Sequence, residues 1–328
     1  MNRQHEPAIE ARGLVKRFGE VEAVAGVDFE VLPGELFGFL GPNGAGKTTT
    51  INMLTGLARP DAGAIRIAGI DCTRNPKAAQ HLIGVVPDES NLYPELSGFE
   101  NLCFCAALYG MGRAEREDRA QKLLADFALT PAAKRKFAGY SKGMKRKLTI
   151  AAGIIHRPRI LFLDEPTTGI DVASARQVRQ LIAELHRSGT TIFLTTHYIE
   201  EAQRLCERIA FIVNGRIVRQ DWVKNLLQPL EAKHLLQISC HGFPREGLEA
   251  LAQAFPHYAF SSPGEGLIRV EGNDPVGVGP LVRFLEERGA EVSEARRMRP
   301  SLEEVFIAIT GLEVDILHKE KEKGGGRP

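Results

Sequence analysis

Gly41-Pro42-Asn43-Gly44-Ala45-Gly46-Lys47-Thr48 is the stretch that decides the fold. It satisfies G-x-x-x-x-G-K-[ST] at every specified position. Glycines let a backbone fold tightly enough for successive N–H groups to point at one anion. The helix predicted from Lys47 to Leu57 adds the positive end of its dipole. Lys47 has the reach for β- and γ-phosphates, the Thr48 hydroxyl suits Mg²⁺, and Thr49 joins them in the nucleotide-binding set. An apolar run, Leu36 to Leu40, precedes the loop, so the octet lies at a strand-to-helix turn.

A phosphate loop needs a second element to hold metal and water. Ile160-Leu161-Phe162-Leu163-Asp164 is an apolar strand that ends in a carboxylate, and Glu165 follows it. A parallel sheet places such a strand end at its carboxyl edge, where α/β folds bind ligands. Neighbouring side chains on extended backbone point opposite ways. Asp164 is therefore expected in the Mg²⁺ shell and Glu165 beside the attacking water, with Pro166 helping to end the strand.

Further runs at Ile83 to Val86, Thr191 to Thr195 and Ile209 to Val213 are apolar throughout, as strands buried on both faces are. Ala8 to Val15, Val24 to Val31 and Ala64 to Ile67 alternate instead and are expected to form an antiparallel edge. The texture from Ser97 to Ala152 is helical, opening with the capping-box pattern Ser97-Gly98-Phe99-Glu100. After Gln228-Pro229 the order becomes β-α-β-β-α-β, which points to a small ferredoxin-like domain. The expected division is 8–225 for an α/β nucleotide-binding domain with a helical insert at about 90–155, then 230–312 for an α+β accessory domain. Residues 313–328 read as a disordered tail.

Composition removes other classes. The 42 Lys+Arg and 41 Asp+Glu nearly cancel, which argues against a nucleic-acid-coating protein. The longest apolar stretch, Leu102 to Met111, is about half of the ~20 residues a membrane-spanning helix needs. Five scattered cysteines form no C-x-x-C pair and read as reduced thiols of a cytoplasmic protein.

These residues resemble the nucleotide-binding subunit of an ATP-binding-cassette (ABC) transporter over about residues 8–220, and other motifs of that family follow in order. Phe18 stands where the family stacks an aromatic on adenine. Tyr140-Ser141-Lys142-Gly143-Met144 occupies the place of the family signature Leu-Ser-Gly-Gly-Gln, keeping Ser141 and Gly143. The altered wording resembles that of bacterial drug and ion exporters. A serine hydroxyl and a glycine N–H at a helix start make a second anion site, and Lys145-Arg146-Lys147 adds positive potential; an ordinary capped helix with a solvated basic face is the plainer reading. Asp171 matches the loop through which two subunits communicate, and His197 matches the γ-phosphate sensor. Asp88 replaces the family's Mg²⁺-sensing glutamine; it can bind Mg²⁺, or be only a loop acid.

The resemblance implies an ATPase with ATP and Mg²⁺ as cofactors, working as a homodimer or paired with a related ATPase subunit. It implies a separate integral-membrane permease docked at Asn91-Leu92-Tyr93-Pro94 and the helix through Phe104. The place of work would be the inner face of the cell membrane, and the cargo a drug-like, lipid-like or ionic substrate moved outward. Two alternatives are weaker. A soluble ABC-type ATPase on ribosomes would carry two cassettes, and one on DNA would carry long coiled coils; a small-molecule kinase would leave Ser141-Lys142-Gly143 unexplained.

Overall fold

The computed structural model describes residues 6–231, 234–243, 247–264, 266–298 and 301–312. The expected disordered tail, 313–328, lies outside the described residues. Two units separate by contacts: residues up to Trp222 together with those from Phe306, and Val223–Val305.

In the first unit the alternating N-terminal segments become β1 (Ile9–Phe18), β2 (Val21–Val31) and β4 (Ala62–Ile67), and the short β5 (Ile70–Asp71), not expected from sequence, joins them. They form a four-stranded antiparallel sheet of their own, ordered β2-β1-β4-β5. The apolar segments become β3 (Leu36–Leu40), β6 (Ile83–Val86), β7 (Ile160–Asp164), β8 (Thr191–Thr196) and β9 (Arg208–Val213). These five run parallel in the order β9-β3-β8-β7-β6, and β10 (Arg216–Trp222) adds an antiparallel edge to β9. One core joins the two sheets. Phe29 of β2 packs 5.6 Å from Phe193 of β8, whose ring also meets Phe39 at 5.4 Å and Phe162 at 5.7 Å. Offset and tilted aromatic pairs at this spacing add ~0.5–1.5 kcal/mol each beyond burial.

Helices α1 (Lys47–Leu54), α5 (Val172–Arg187) and α6 (Ile199–Leu205) follow β3, β7 and β8. The helical insert holds α2 (Gly98–Leu108), α3 (Arg113–Asp126) and α4 (Lys142–Gly153). Ser97 and Glu100 close the expected capping box at the start of α2. In α3, Leu123 and Leu124 form part of the buried stripe, with charged residues outward.

The second unit begins with α7 (Val223–Glu231) and contains β11 (His234–His241), α8 (Gly247–Ala254), β12 (Tyr258–Gly264), β13 (Leu267–Gly272), α9 (Val278–Glu286) and β14 (Glu291–Met298). Its sheet order, β12-β13-β11-β14, with every pair antiparallel, is that of a ferredoxin-like β-α-β-β-α-β unit. Leu251 of α8 and Leu281 and Leu285 of α9 cover one face of the sheet. The closing helix α10 (Leu302–Thr310) is divided. From Phe306 on it groups with the first unit, where Phe306 is fully buried and meets Phe211 edge-on at 5.3 Å. The expected accessory-domain bounds, 230–312, include these residues, because a local apolar helix does not reveal which core receives it.

Candidate active site

Strand register brings the site together. Leu40 pairs with Thr196, Asp164 with Thr195, and Val86 with Leu163. The phosphate loop after β3, the carboxylates ending β7, His197 after β8 and Asp88 after β6 therefore share one carboxyl edge. Ligands bind at that edge in open parallel sheets.

Gly46 enters α1 in the left-handed region at φ 103°, and a side chain there would collide with the Ala23 carbonyl. Only glycine fits both conditions. Lys47, buried, donates through Nζ to Gly41 O at 2.7 Å and Pro42 O at 3.0 Å. The same ammonium lies 3.3 Å from Glu165 Oε1. A cavity of about 170 Å³ opens here, lined by Ala23, Asn43, Gly44, Gly46, Lys47, Thr48, Thr49, Asp88 and Glu165.

Glu165 does not continue the strand. It turns at φ 48°, a left-handed conformation that costs a non-glycine residue ~1–3 kcal/mol. Its N–H donates to the Thr195 carbonyl at 3.1 Å, which holds the turn. The expectation that Asp164 and Glu165 diverge on extended backbone is corrected accordingly: a turn, not pleating, separates them. Thr195 Oγ1 donates to Asp164 Oδ1 behind the cavity. Glu165 Oε2 accepts from Thr168 Oγ1 at 3.0 Å and bonds His197 Nδ1 at 2.7 Å. Burial pushes the Glu165 pKa up, but the His197 hydrogen bond and the Lys47 charge outweigh it, and the net direction is down. Its Oε1 is buried, beside a cation, and has no hydrogen-bond partner. The group is an ionised carboxylate with one oxygen ready to accept a proton or a water.

The structure brings Lys47, Thr48, Thr49, Glu165 and Asp88 to one cavity; Asp164 and His197 do not line it, but His197 bonds the lining Glu165 and Asp164 precedes Glu165 at the end of β7. Phe18 ends β1 with its ring 56% exposed, available as a stacking platform. Ser141, Gly143 and Asp171 do not line this cavity. Ser141 caps α4, accepting from Met144 N at 3.3 Å, and Asp171 caps α5, accepting from Ser174 N at 2.9 Å and Ser174 Oγ at 2.7 Å. Gly143 is where the two helix starts meet, because a side chain there would strike Ser174. Two exposed helix N-termini thus form a second anion-attracting surface in the same chain.

Among the described residues no cluster of three His, Cys, Asp or Glu side chains forms a ready metal cage. Mg²⁺ does not need one, since it is held by one or two carboxylates with phosphate oxygens and water. The oxygen donors Thr48 and Asp88 on the cavity wall, with Asp164 behind it, suit that ion.

Several contributing residues carry no sequence signal. Thr195 and Thr168 orient the carboxylates, yet read as ordinary strand and loop threonines. Arg146 lies in an apparently solvated basic run but is buried; Nη1 donates to Pro87 O at 2.7 Å and Nη2 to Asp88 O. Of its neighbours, Lys145 sits over the Phe137 ring, and partial burial lowers the Lys147 pKa. The basic run is thus not a purely solvent-facing source of positive potential. Glu201 on α6 is also buried, and burial raises its pKa.

Comparison with known proteins places this geometry in context. A family model described as ABC transporter matches residues 24–168. The daunorubicin/doxorubicin resistance ATP-binding protein DrrA of Streptomyces peucetius is 39% identical over 319 residues, covering 96% of each chain. The linearmycin resistance ATP-binding protein LnrL of Bacillus subtilis is 33% identical, covering 92% of this chain and 98% of its own. A solved dimeric, post-hydrolysis ATP-binding cassette bound to ADP and Pi superposes with a TM-score of 0.61 at 27% identity, over 66% of this chain and 98% of that one.

Proposed function

We propose a working cycle from one premise: this chain belongs to the ABC transporter family, as an ATP-binding and ATP-hydrolysing subunit that drives export. Subunits of this kind pair with each other and with a membrane permease. The finer assignments that follow rest on the site geometry and on likeness to the relatives.

The backbone N–H groups from Asn43 to Thr49 and the Lys47 ammonium would hold the phosphates, while Phe18 would stack on adenine. Thr48, Asp164 and Asp88 would hold Mg²⁺, which when bound would offset phosphate charge. Glu165 Oε1 would accept a hydrogen bond from the attacking water and take its proton as the water adds to the γ-phosphorus, while His197 fixes Glu165 and contacts the γ-phosphate. Ser141 and Gly143 of one copy meet the ATP held by a second copy, and Asp171 relays between them. The pair is read as a homodimer at the inner face of the cell membrane. Among the described residues no helix is long and apolar enough to cross a membrane. The permease would dock on Tyr93, Phe104 and Leu108, exposed by 52%, 39% and 71%, the first two in edge contact at 4.9 Å. A drug-like cargo fits the resistance proteins this chain resembles.

The observation that carries the reading is the buried Glu165 oxygen with a cation nearby and no donor. Glu165→Gln keeps the shape and removes the base. Hydrolysis is expected to fall by about 10²–10⁴-fold, the usual scale for general-base loss, while ATP binding persists and an ATP-bound dimer accumulates on size-exclusion chromatography. Turnover at the wild-type rate would remove Glu165 from this role.

A further inference from the structure

Helix α4 does more than present Ser141. Arg146, one turn inside it, is only 7% exposed and spends its guanidinium on a segment 58 residues away in sequence. Nη1 donates to the Pro87 carbonyl at 2.7 Å; Nη2 donates to the Asp88 carbonyl and approaches Asp88 Oδ1 at 3.5 Å. Most of the grip is on main chain, so it fixes where the loop runs and not merely where one side chain points. One turn further, Thr149 Oγ1 lies 2.7 Å from Ser90 Oγ. Thr149 gives its proton to Lys145 O at 2.8 Å, which leaves Ser90 as the donor. The same face of α4 therefore fastens the loop after β6 at two points. At the end of α4, Gly153 lets the helix close on β6, since a side chain there would meet Val86 at 2.8 Å.

The fastened loop is a wall between two spaces. Asp88 lines the 170 Å³ phosphate cavity and also a 380 Å³ cavity bounded by Lys142, Arg146 and Thr168. α4 thus carries at its start the residues offered to another copy's nucleotide, and on its side the loop that faces its own.

We infer that Arg146 is a positioning residue that straps the Asp88 loop to α4, so that engagement of Ser141 with a second copy's ATP shifts Asp88 in the chain's own site. The strap rests on the two-copy reading above and adds to it a route by which one site reports to the other. A guanidinium suits the task, because its rigid planar fork holds two acceptors in a fixed mutual geometry, which a flexibly tethered ammonium does not. Buried and doubly bonded, it has little freedom to lag behind the helix.

The test uses the full chain as wild type, Arg146→Gln, Arg146→Lys and the double variant Ser90→Ala/Thr149→Val. Fluorescence of trinitrophenyl-ATP reports nucleotide binding, and steady-state ATPase assays give kcat, KM and the Hill coefficient. Arg146→Gln is expected to lower kcat about tenfold while KM and probe binding move about twofold or less, the scale of losing a charge-assisted hydrogen bond in a coupling element. Its Hill coefficient should fall to about 1 from a higher wild-type value, because the sites lose their coupling. Arg146→Lys should recover part of kcat, and the double variant should show a smaller loss of the same kind. Unchanged kcat and cooperativity in Arg146→Gln overturn the strap, as does probe binding that falls as far as kcat, which marks a merely structural arginine. If Arg146→Gln does not fold, wild-type kcat and cooperativity in both remaining variants overturn it equally. A wild-type chain that never dimerises with ATP defeats the two-copy reading, and the strap with it; a cooperative wild type matched by an equally cooperative Arg146→Gln defeats the strap alone.

Discussion

The two anion-binding surfaces of the first unit are built in opposite ways. Around the phosphate loop, Lys47, Asp164, Glu165 and His197 are all less than a tenth exposed and bonded to one another or to neighbouring threonines. At the starts of α4 and α5, Ser141, Lys142 and Asp171 are exposed, and the hydrogen bonds that Ser141 and Asp171 accept lie within their own caps. Groups that do chemistry need fixed positions in a dry site, because preorganised charges act there without reorganising. Groups that meet a partner need reach. On the proposed reading, the chain finishes one surface for itself and leaves the other to be completed by a second subunit.

Gly143→Val breaks that comparison with the largest effect. Its side chain would be driven into Ser174, which is tied to Asp171, so both helix starts must shift together. Hydrolysis is expected to fall about a hundredfold, the scale of losing one donor aimed at a reacting oxyanion, with trinitrophenyl-ATP binding to single copies held within about twofold. Parallel loss of binding would show that the two surfaces are not separate.

Phe18→Ala probes the rim of the finished surface. Stacking on a base is worth ~1–3 kcal/mol by alanine substitution, so ATP affinity should weaken about 5- to 150-fold with kcat little changed. The ring is exposed, and removing it leaves no cavity, so thermal stability should hold. A titration that finds adenosine triphosphate and inorganic triphosphate weakened alike would place Phe18 away from the base.

The finished surface was also the more legible in sequence, for a physical reason. Gly41 to Thr48 and Asp164-Glu165 are local patterns, whose chemistry depends on neighbours along the chain. In sequence Arg146 reads as positive potential beside Ser141 or as part of a solvated basic face, because nothing within a few residues says that β6 and its loop cover it. Thr195 holds Asp164 only through strand pairing, and the left-handed turn at Glu165 depends on a carbonyl from β8. Phe306 falls within the expected accessory-domain bounds for the same reason. In each case a contact distant in sequence decides the role.

Glu201 carries the same lesson to the smallest effect, since burial beside an active site is not itself chemistry. Neither of its carboxylate oxygens has a hydrogen-bond partner of ordinary geometry. Burial raises its pKa, against Thr167, Thr196 and Arg179, which lower it, and with Glu165 adding to the rise. An acid whose pKa is raised on folding holds its proton more tightly folded than unfolded. Its burial is tolerated below the unfolded carboxylate range near pH ~4.3 and erodes stability as pH climbs through the raised value. Glu201→Gln removes the charge and keeps the shape. At neutral pH it should unfold about 2–4 °C above wild type, the shift expected for ~1 kcal/mol in a domain of this size, and the gap should close as pH falls toward ~4. Calorimetry at several pH values reads both. A midpoint equal to wild type at neutral pH would mean that the carboxylate is stabilised where it lies, and that the finished surface extends one residue deeper than the bonds around Glu165.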